Sequence, residues 1–175
     1  MKGTVNGTVN GPARRPGRLI LICGLPGAGK TTLARRLAAE RAAVRLCPDE
    51  WLAHLGLDPH DEAARDRLEK QLWRHARDLL PLGRTVILEY GFWARSEREE
   101  LRLAARALGA AVELHYLTAP LDELWRRVEA RHGWGTVPIT RAMLEQGAAI
   151  FEPPDDAELA RYDRPENEEA PHHER

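Results

Sequence analysis

The sequence predicts an α/β domain in which a parallel sheet of four to five strands is covered by helices on both faces. Three observations carry this expectation. Short, nearly unbroken apolar runs alternate with segments whose apolar residues recur at helical spacing. The first of those runs leads directly into the turn Gly24-Leu25-Pro26-Gly27-Ala28-Gly29-Lys30-Thr31 and then into a helix. The chain of 175 residues, 43% hydrophobic and 30% charged, is also long enough to bury the core that a single such domain needs.

The elements follow in order. Residues 1–17, with a tandem Gly-Thr-Val-Asn and several Pro and Gly, carry too little apolar area to order themselves and are expected to be a tail. Arg18–Cys23 is an apolar run of the kind that fills a central parallel strand. Thr31–Arg41 follows as a helix with Leu33, Ala34, Leu37 and Ala38 on one face, and Val44–Cys47 as a second short strand. Leu68, Leu72, Ala76 and Leu79 mark a helix that Pro81 and Gly83 end, and Thr85–Glu89 is a third strand. Ser96 and Glu99 have capping-box spacing ahead of a helix striped by Leu101, Ala104, Ala105 and Leu108, which Gly109 closes. Ala111–Leu117 is a fourth strand, and Pro120 opens a helix striped by Leu121, Leu124, Trp125 and Val128. Phe151–Asp163 is Pro-rich and acidic, so no fifth strand is evident there. The domain is expected over 18–163, with a loose tail over 164–175. Alternation of this kind implies right-handed βαβ crossovers, and ligands then bind beyond the carboxyl ends of the strands.

Gly24–Thr31 matches G-x-x-x-x-G-K-[ST], between a strand and a helix. A chance match is on the order of one in a thousand for this composition, before that context is imposed. Glycines let the backbone turn its N–H groups inward on a β-phosphate, and the helix opening near Lys30 adds its positive end. Lys30 is suited to the β- and γ-phosphates and the Thr31 hydroxyl to Mg²⁺, with Thr32 beside it on the helix. Two further strand ends face the same cleft. The second leads into Pro48-Asp49-Glu50-Trp51. Asp49 is a candidate base for an attacking hydroxyl, and equally suits the first turn of a helix. The third ends at Glu89, where a Walker B carboxylate would hold Mg²⁺ through water or orient an acceptor; a salt-bridged strand end is the alternative. Tyr90, Phe92 and Trp93 then either line an acceptor pocket or pack in the core. Arg127 and Arg131 lie four apart and share a helix face, ahead of a His132-Gly133-Trp134-Gly135 break that suits a lid over about 126–140. Such arginines stabilise charge on a transferring phosphoryl group, whereas the plain alternative is a solvated basic face.

Together these residues resemble the small P-loop kinases that include zeta-type toxins, chloramphenicol phosphotransferase and phage polynucleotide kinase, within a bacterial group of AAA-type ATP-binding proteins. The likeness rests on Gly24–Thr31, Pro48–Trp51, Gly91–Trp93, Leu124–Arg127 and Phe151–Pro154. It implies a three-layer P-loop NTPase of nucleoside-kinase-like type, using ATP and Mg²⁺. It also puts Asp49 at the acceptor-activating position and Arg127 and Arg131 in the lid. Arg95 and Arg98, just after Gly-Phe-Trp, become candidates for holding an anionic acceptor. Glu89 stands where such relatives commonly carry Asp, and His132 where Asn is usual.

The expected activity is therefore ATP-dependent phosphoryl transfer to a hydroxyl of a small molecule such as an antibiotic, nucleoside or metabolite. The alternatives are a polynucleotide 5′-hydroxyl kinase and an ATP-binding switch without acceptor chemistry. A net charge of −1 offers no general basic surface for nucleic acid. No Asn-Lys-x-Asp guanine-recognition sequence occurs, and no acidic pair follows the third strand as a motor ATPase requires. Two cysteines, Cys23 and Cys47, make no disulfide framework. With no apolar run of membrane-spanning length, a cytoplasmic monomer or homodimer is expected.

Overall fold

A computed structural model describes residues 15–131 and 138–165. The predicted tails lie almost wholly outside these bounds, as does the His132–Gly135 segment of the expected lid. The elements are β1 (Arg18–Cys23), α1 (Lys30–Glu40), β2 (Val44–Leu46), α2 (Pro48–His54), α3 (Glu62–Leu79), β3 (Thr85–Gly91), α4 (Arg95–Ala107), β4 (Ala111–Tyr116), α5 (Leu121–Glu129), α6 (Arg141–Ile150) and α7 (Asp156–Leu159). The strands form one parallel sheet in the order β2-β3-β1-β4.

The pleat of β1 explains the three layers. Leu19, Leu21 and Cys23 point to one face, where they meet Val86, Leu88 and Val112 together with Leu72 and Ala76 of α3 and Ala105 of α4. Ile20 and Ile22 point to the other face, where they meet Ile87 and the Ala34 and Leu37 stripe of α1. Every residue from Leu19 to Cys23 is fully buried, which is why the run reads as continuously apolar rather than alternating. A third cluster of Ala28, Leu124 and Leu144 packs α5 and α6 beneath the loop that follows β1.

Local chemistry moves one expected helix cap and accounts for the four-stranded sheet. The cap of α4 is Ala94 rather than Ser96: its backbone N–H donates to the Glu97 carboxylate at 3.1 Å, while Glu99 is taken up by Arg102. A fifth strand is absent among the described residues. At the free edge of β4 its place is taken by Asp163, whose backbone N–H donates to the Val112 carbonyl (2.8 Å) and whose carboxylate accepts from the Val112 N–H (2.6 Å). The helices α2, α6 and α7 are additions to the sequence reading. At the other end, the Gly17 carbonyl accepts from the Ala111 N–H at 2.9 Å, so Gly17 joins the sheet rather than a tail.

Candidate active site

Three glycines of the loop between β1 and α1 have positive φ, Gly24 at +145 and two that shape the turn itself. Gly27 has φ +83, and a Cβ there would lie 2.5 Å from the Leu124 carbonyl oxygen. Gly29 has φ +97, caps α1, and faces open space. Gly24, Leu25 and Ala28 form the back of the loop, with Ala28 closing a turn onto Leu25 (3.2 Å). Pro26, Gly27, Gly29, Lys30, Thr31 and Thr32 line a cleft of about 1060 Å³. The Lys30 ammonium donates to the Leu25 carbonyl across the loop at 3.0 Å. Burial pulls it below its ordinary pKa, against the opposing pull of Glu89, and nearby Arg131 adds to the fall. A polyphosphate, bringing negative charge, suits such a lysine.

The same cleft takes in Asp49, Glu89, Phe92, Trp93, Arg127 and Arg131, so most of the sequence candidates converge. Glu89 is buried at the end of β3, where one carboxylate oxygen accepts from the Thr31 hydroxyl and the other from Arg45 Nε at 2.7 Å. Arg45, on β2, also grips Glu50 through two nitrogens (2.7 and 2.9 Å), and these bonds hold Glu50 down at about 2. Asp49 lies in the first turn of α2 but is not its cap, a position held by Cys47. Its carboxylate instead accepts from Arg65 of α3 at 2.5 Å and remains half-exposed to the cleft.

Aromatic and acidic groups form the far wall. Tyr90 stacks on Phe92 at 5.2 Å, and its hydroxyl donates to the Glu69 carbonyl at 3.3 Å. Trp93 lies against Gly147 of α6, where a Cβ would meet its ring at 2.9 Å. Burial raises the Glu69 carboxyl above its ordinary range, with Glu97 and Asp49 adding to the rise against Arg65. At the other end, Arg127 donates to Glu123 (2.7 Å) and to the Gly27 carbonyl (3.4 Å), tying α5 to the loop.

Two candidates are corrected. Arg98 is fully buried, with its guanidinium spent on Glu158 and on the Phe92 and Trp93 carbonyls. Arg95 pairs with Asp155 at 3.0 Å. Neither lines the cleft, so neither is placed to hold an anionic acceptor. Sequence reasoning missed Arg45 and Arg65. An arginine between two apolar residues of a short strand was a usable signal for Arg45, since parallel pairing sets it beside the strand that carries Glu89. Arg65, one of many charged positions on α3, carried no such mark.

The donor set suits ATP·Mg²⁺. The Thr31 hydroxyl and Glu89 carboxylate are hard oxygen donors beside the Gly-rich turn, and Mg²⁺ characteristically takes one or two protein oxygens, completing its shell with phosphate and water. No group of three or more His, Cys, Asp or Glu among the described residues could hold a metal by itself.

Comparisons with known proteins agree with this architecture. The chain superimposes on a gluconokinase from Sinorhizobium meliloti (TM-score 0.57, 19% identity, covering 82% of this chain and 79% of the other). It also superimposes on Kti12 from Chaetomium thermophilum, solved with ADP-AlF3 (TM-score 0.62, 22% identity, 79% and 82% covered). A chain of the Pnkp1/Rnl/Hen1 RNA repair complex matches with TM-score 0.69 and 20% identity over 88% of this chain, which spans about half of that larger protein (48%). At such identities the likeness is one of fold, and the fold is that of P-loop kinases. No curated relative matches in sequence. The AAA domain family, AAA_33, matches residues 19–154, most of the chain and including the Gly-rich turn and all four strands, so the chain belongs to that family.

Proposed function

We propose that this protein is an ATP·Mg²⁺-dependent phosphotransferase acting on a hydroxyl of a small molecule. The observation that carries the reading is that one cleft contains the Lys30–Thr31 turn, the Glu89 carboxylate, the Asp49 carboxylate and an aromatic wall. In this reading the loop N–H groups and Lys30 bind the β- and γ-phosphates. Thr31 and Glu89 would hold Mg²⁺, which when bound would neutralise charge on the transferring group. Arg65 fixes the orientation of Asp49, which accepts the proton of the attacking hydroxyl. The new O–P bond forms as the β–γ bridge breaks, ADP carries the displaced electron pair, and Arg127 and Arg131 offset charge on the phosphoryl oxygens.

The acceptor end of the cleft favours a neutral or cationic alcohol. Glu62, Asp66, Glu69, Glu97 and Glu100 line it, and the two cations among them are engaged: Arg65 by Asp49, Lys70 by Asp66 (2.7 Å). A polynucleotide 5′-hydroxyl, the reading that the RNA-repair neighbour raises, would bring phosphates into this acidic field. Asp49→Asn tests the reading. The variant should keep ATP affinity and lose transfer by roughly 10²–10⁴-fold, the usual worth of a positioned base. Undiminished transfer would remove Asp49 from the chemistry.

A further inference from the structure

A buried ion pair that no catalytic step uses closes around the turn after β3. Arg98 of α4 is fully buried and meets Glu158 of α7 in a two-pronged contact, Nε to Oε1 at 2.6 Å and Nη2 to Oε2 at 2.9 Å. Its remaining nitrogen, Nη1, donates to the Phe92 carbonyl at 2.9 Å and to the Trp93 carbonyl at 3.4 Å. The Cys23 thiol donates to the same Phe92 carbonyl at 3.4 Å, and the Glu152 N–H to that of Trp93 at 2.9 Å. Phe92 is a non-glycine residue at φ +47, a conformation that persists only where its surroundings impose it. On its other side the turn is stitched to the phosphate loop, since the Gly91 carbonyl accepts from the Gly24 N–H at 3.1 Å.

Stability alone gives a poor account of this pair. Two charges withdrawn from water commonly gain no more than a well-packed apolar pair of similar volume would. What an apolar pair lacks is the donor to two carbonyls of a left-handed turn. The geometry points to Arg98 and Glu158 as positioning residues: Glu158 aims the guanidinium, and the guanidinium holds Gly91–Trp93 so that the aromatic wall stands at a fixed place relative to the phosphate loop. The catalytic consequence rests on the phosphotransferase reading, whereas the clamp itself is testable without it.

The probe is the Trp93 indole, whose nitrogen lies 3.2 Å from where a Cβ on Gly91 would sit. Its ¹H–¹⁵N signal is identified by its loss in Trp93→Phe, then followed in Arg98→Met, in Glu158→Leu and in the double variant, beside their melting temperatures. Each single variant takes the main partner from a buried charge, Glu158 keeping only Arg95 Nε at 3.7 Å, and should melt earlier. The double variant should regain the melting temperature, yet its Trp93 signal should stay displaced and broadened. Arg98→Lys, which keeps the charge but not the planar fork, should displace the signal as well and serves should the double variant fail to fold. Mant-ATP should bind the double variant with unchanged affinity, while kcat for transfer to the best acceptor falls about tenfold or more, as expected when a reacting partner is misplaced by part of an ångström. A Trp93 signal that returns to its wild-type position together with the melting temperature would overturn the inference and leave the pair a structural one. Absence of transfer in the wild type would count against the phosphotransferase reading alone, with the indole signal still deciding the clamp.

Discussion

Gly27→Ala and Gly29→Ala separate two roles of the phosphate loop. Both glycines are left-handed, at φ +83 and φ +97, so either alanine incurs a conformational cost of about 1–2 kcal/mol. Their surroundings differ. An alanine methyl at position 29 meets nothing within 4 Å, whereas at position 27 it falls 2.5 Å from the Leu124 carbonyl oxygen, in backbone that cannot swing aside. Forcing α5 away adds about 1–3 kcal/mol of overpacking. At about 2–4 °C per kcal/mol for a chain of this size, Gly29→Ala should lower Tm by about 2–8 °C. Gly27→Ala should lower it by about 4–20 °C on the same scale. Thermal unfolding without nucleotide reads this difference, and titration with mant-ATP should find both variants weakened, because both distort the loop N–H groups that the proposed function turns toward the phosphates. Equal melting temperatures would refute the contact with α5. Wild-type nucleotide affinity in Gly29→Ala would refute the phosphate-binding role of the loop.

Other consequences are more compact. Arg45→Met leaves the buried Glu89 carboxylate without its cation and should cost about 3–5 kcal/mol in chemical denaturation, far above the cost of removing an exposed pair such as Lys70–Asp66. Glu50 is held at about 2 in the fold by its Arg45 bonds, against 4.5 when free. A depressed carboxyl stabilises above its unfolded pKa, so this contribution is lost as pH falls from 4.5 toward 2, and Glu50→Gln should flatten the acid limb of stability over that interval. Burial raises the Cys23 thiol to about 11 and the Cys47 thiol to about 12, so both should resist a thiol reagent at pH 8 in the fold and react promptly once unfolded.

The parts of the fold legible in the sequence are those where local pattern and tertiary role coincide. β1 must be apolar on both faces because it lies between β3 and β4 under helices on each side, and that demand is written along Leu19–Cys23. The Gly-rich turn is legible because its residue types follow from backbone geometry alone. Asp49, Glu89, Arg127 and Arg131 reach one cleft because parallel topology gathers the strand ends that precede or carry them. Arg98 was misread for the converse reason. Its distance along the chain from the aromatic turn is short, but α4 turns that face inward, and the partner that consumes its charge, Glu158, lies 60 residues away. The α4 cap shifted for a similar reason. Ser96 and Glu99 have the right spacing, yet the Glu152 carboxylate accepts the Arg95 N–H, and the helix begins one residue after Ala94. Asp163 shows how a segment with no strand signal can still complete a sheet edge, through one backbone and one side-chain bond to Val112.

The central claim is phosphoryl transfer, and the most direct measurement is a screen with γ-labelled ATP and Mg²⁺ against hydroxyl-bearing antibiotics, nucleosides, amino alcohols and a 5′-OH oligonucleotide, with Lys30→Ala as the blank. The account predicts label on a neutral or cationic alcohol, absent in the blank and strongly reduced in Asp49→Asn. Tight ATP binding with no label on any acceptor, or label on the oligonucleotide in preference to every small alcohol, would contradict it.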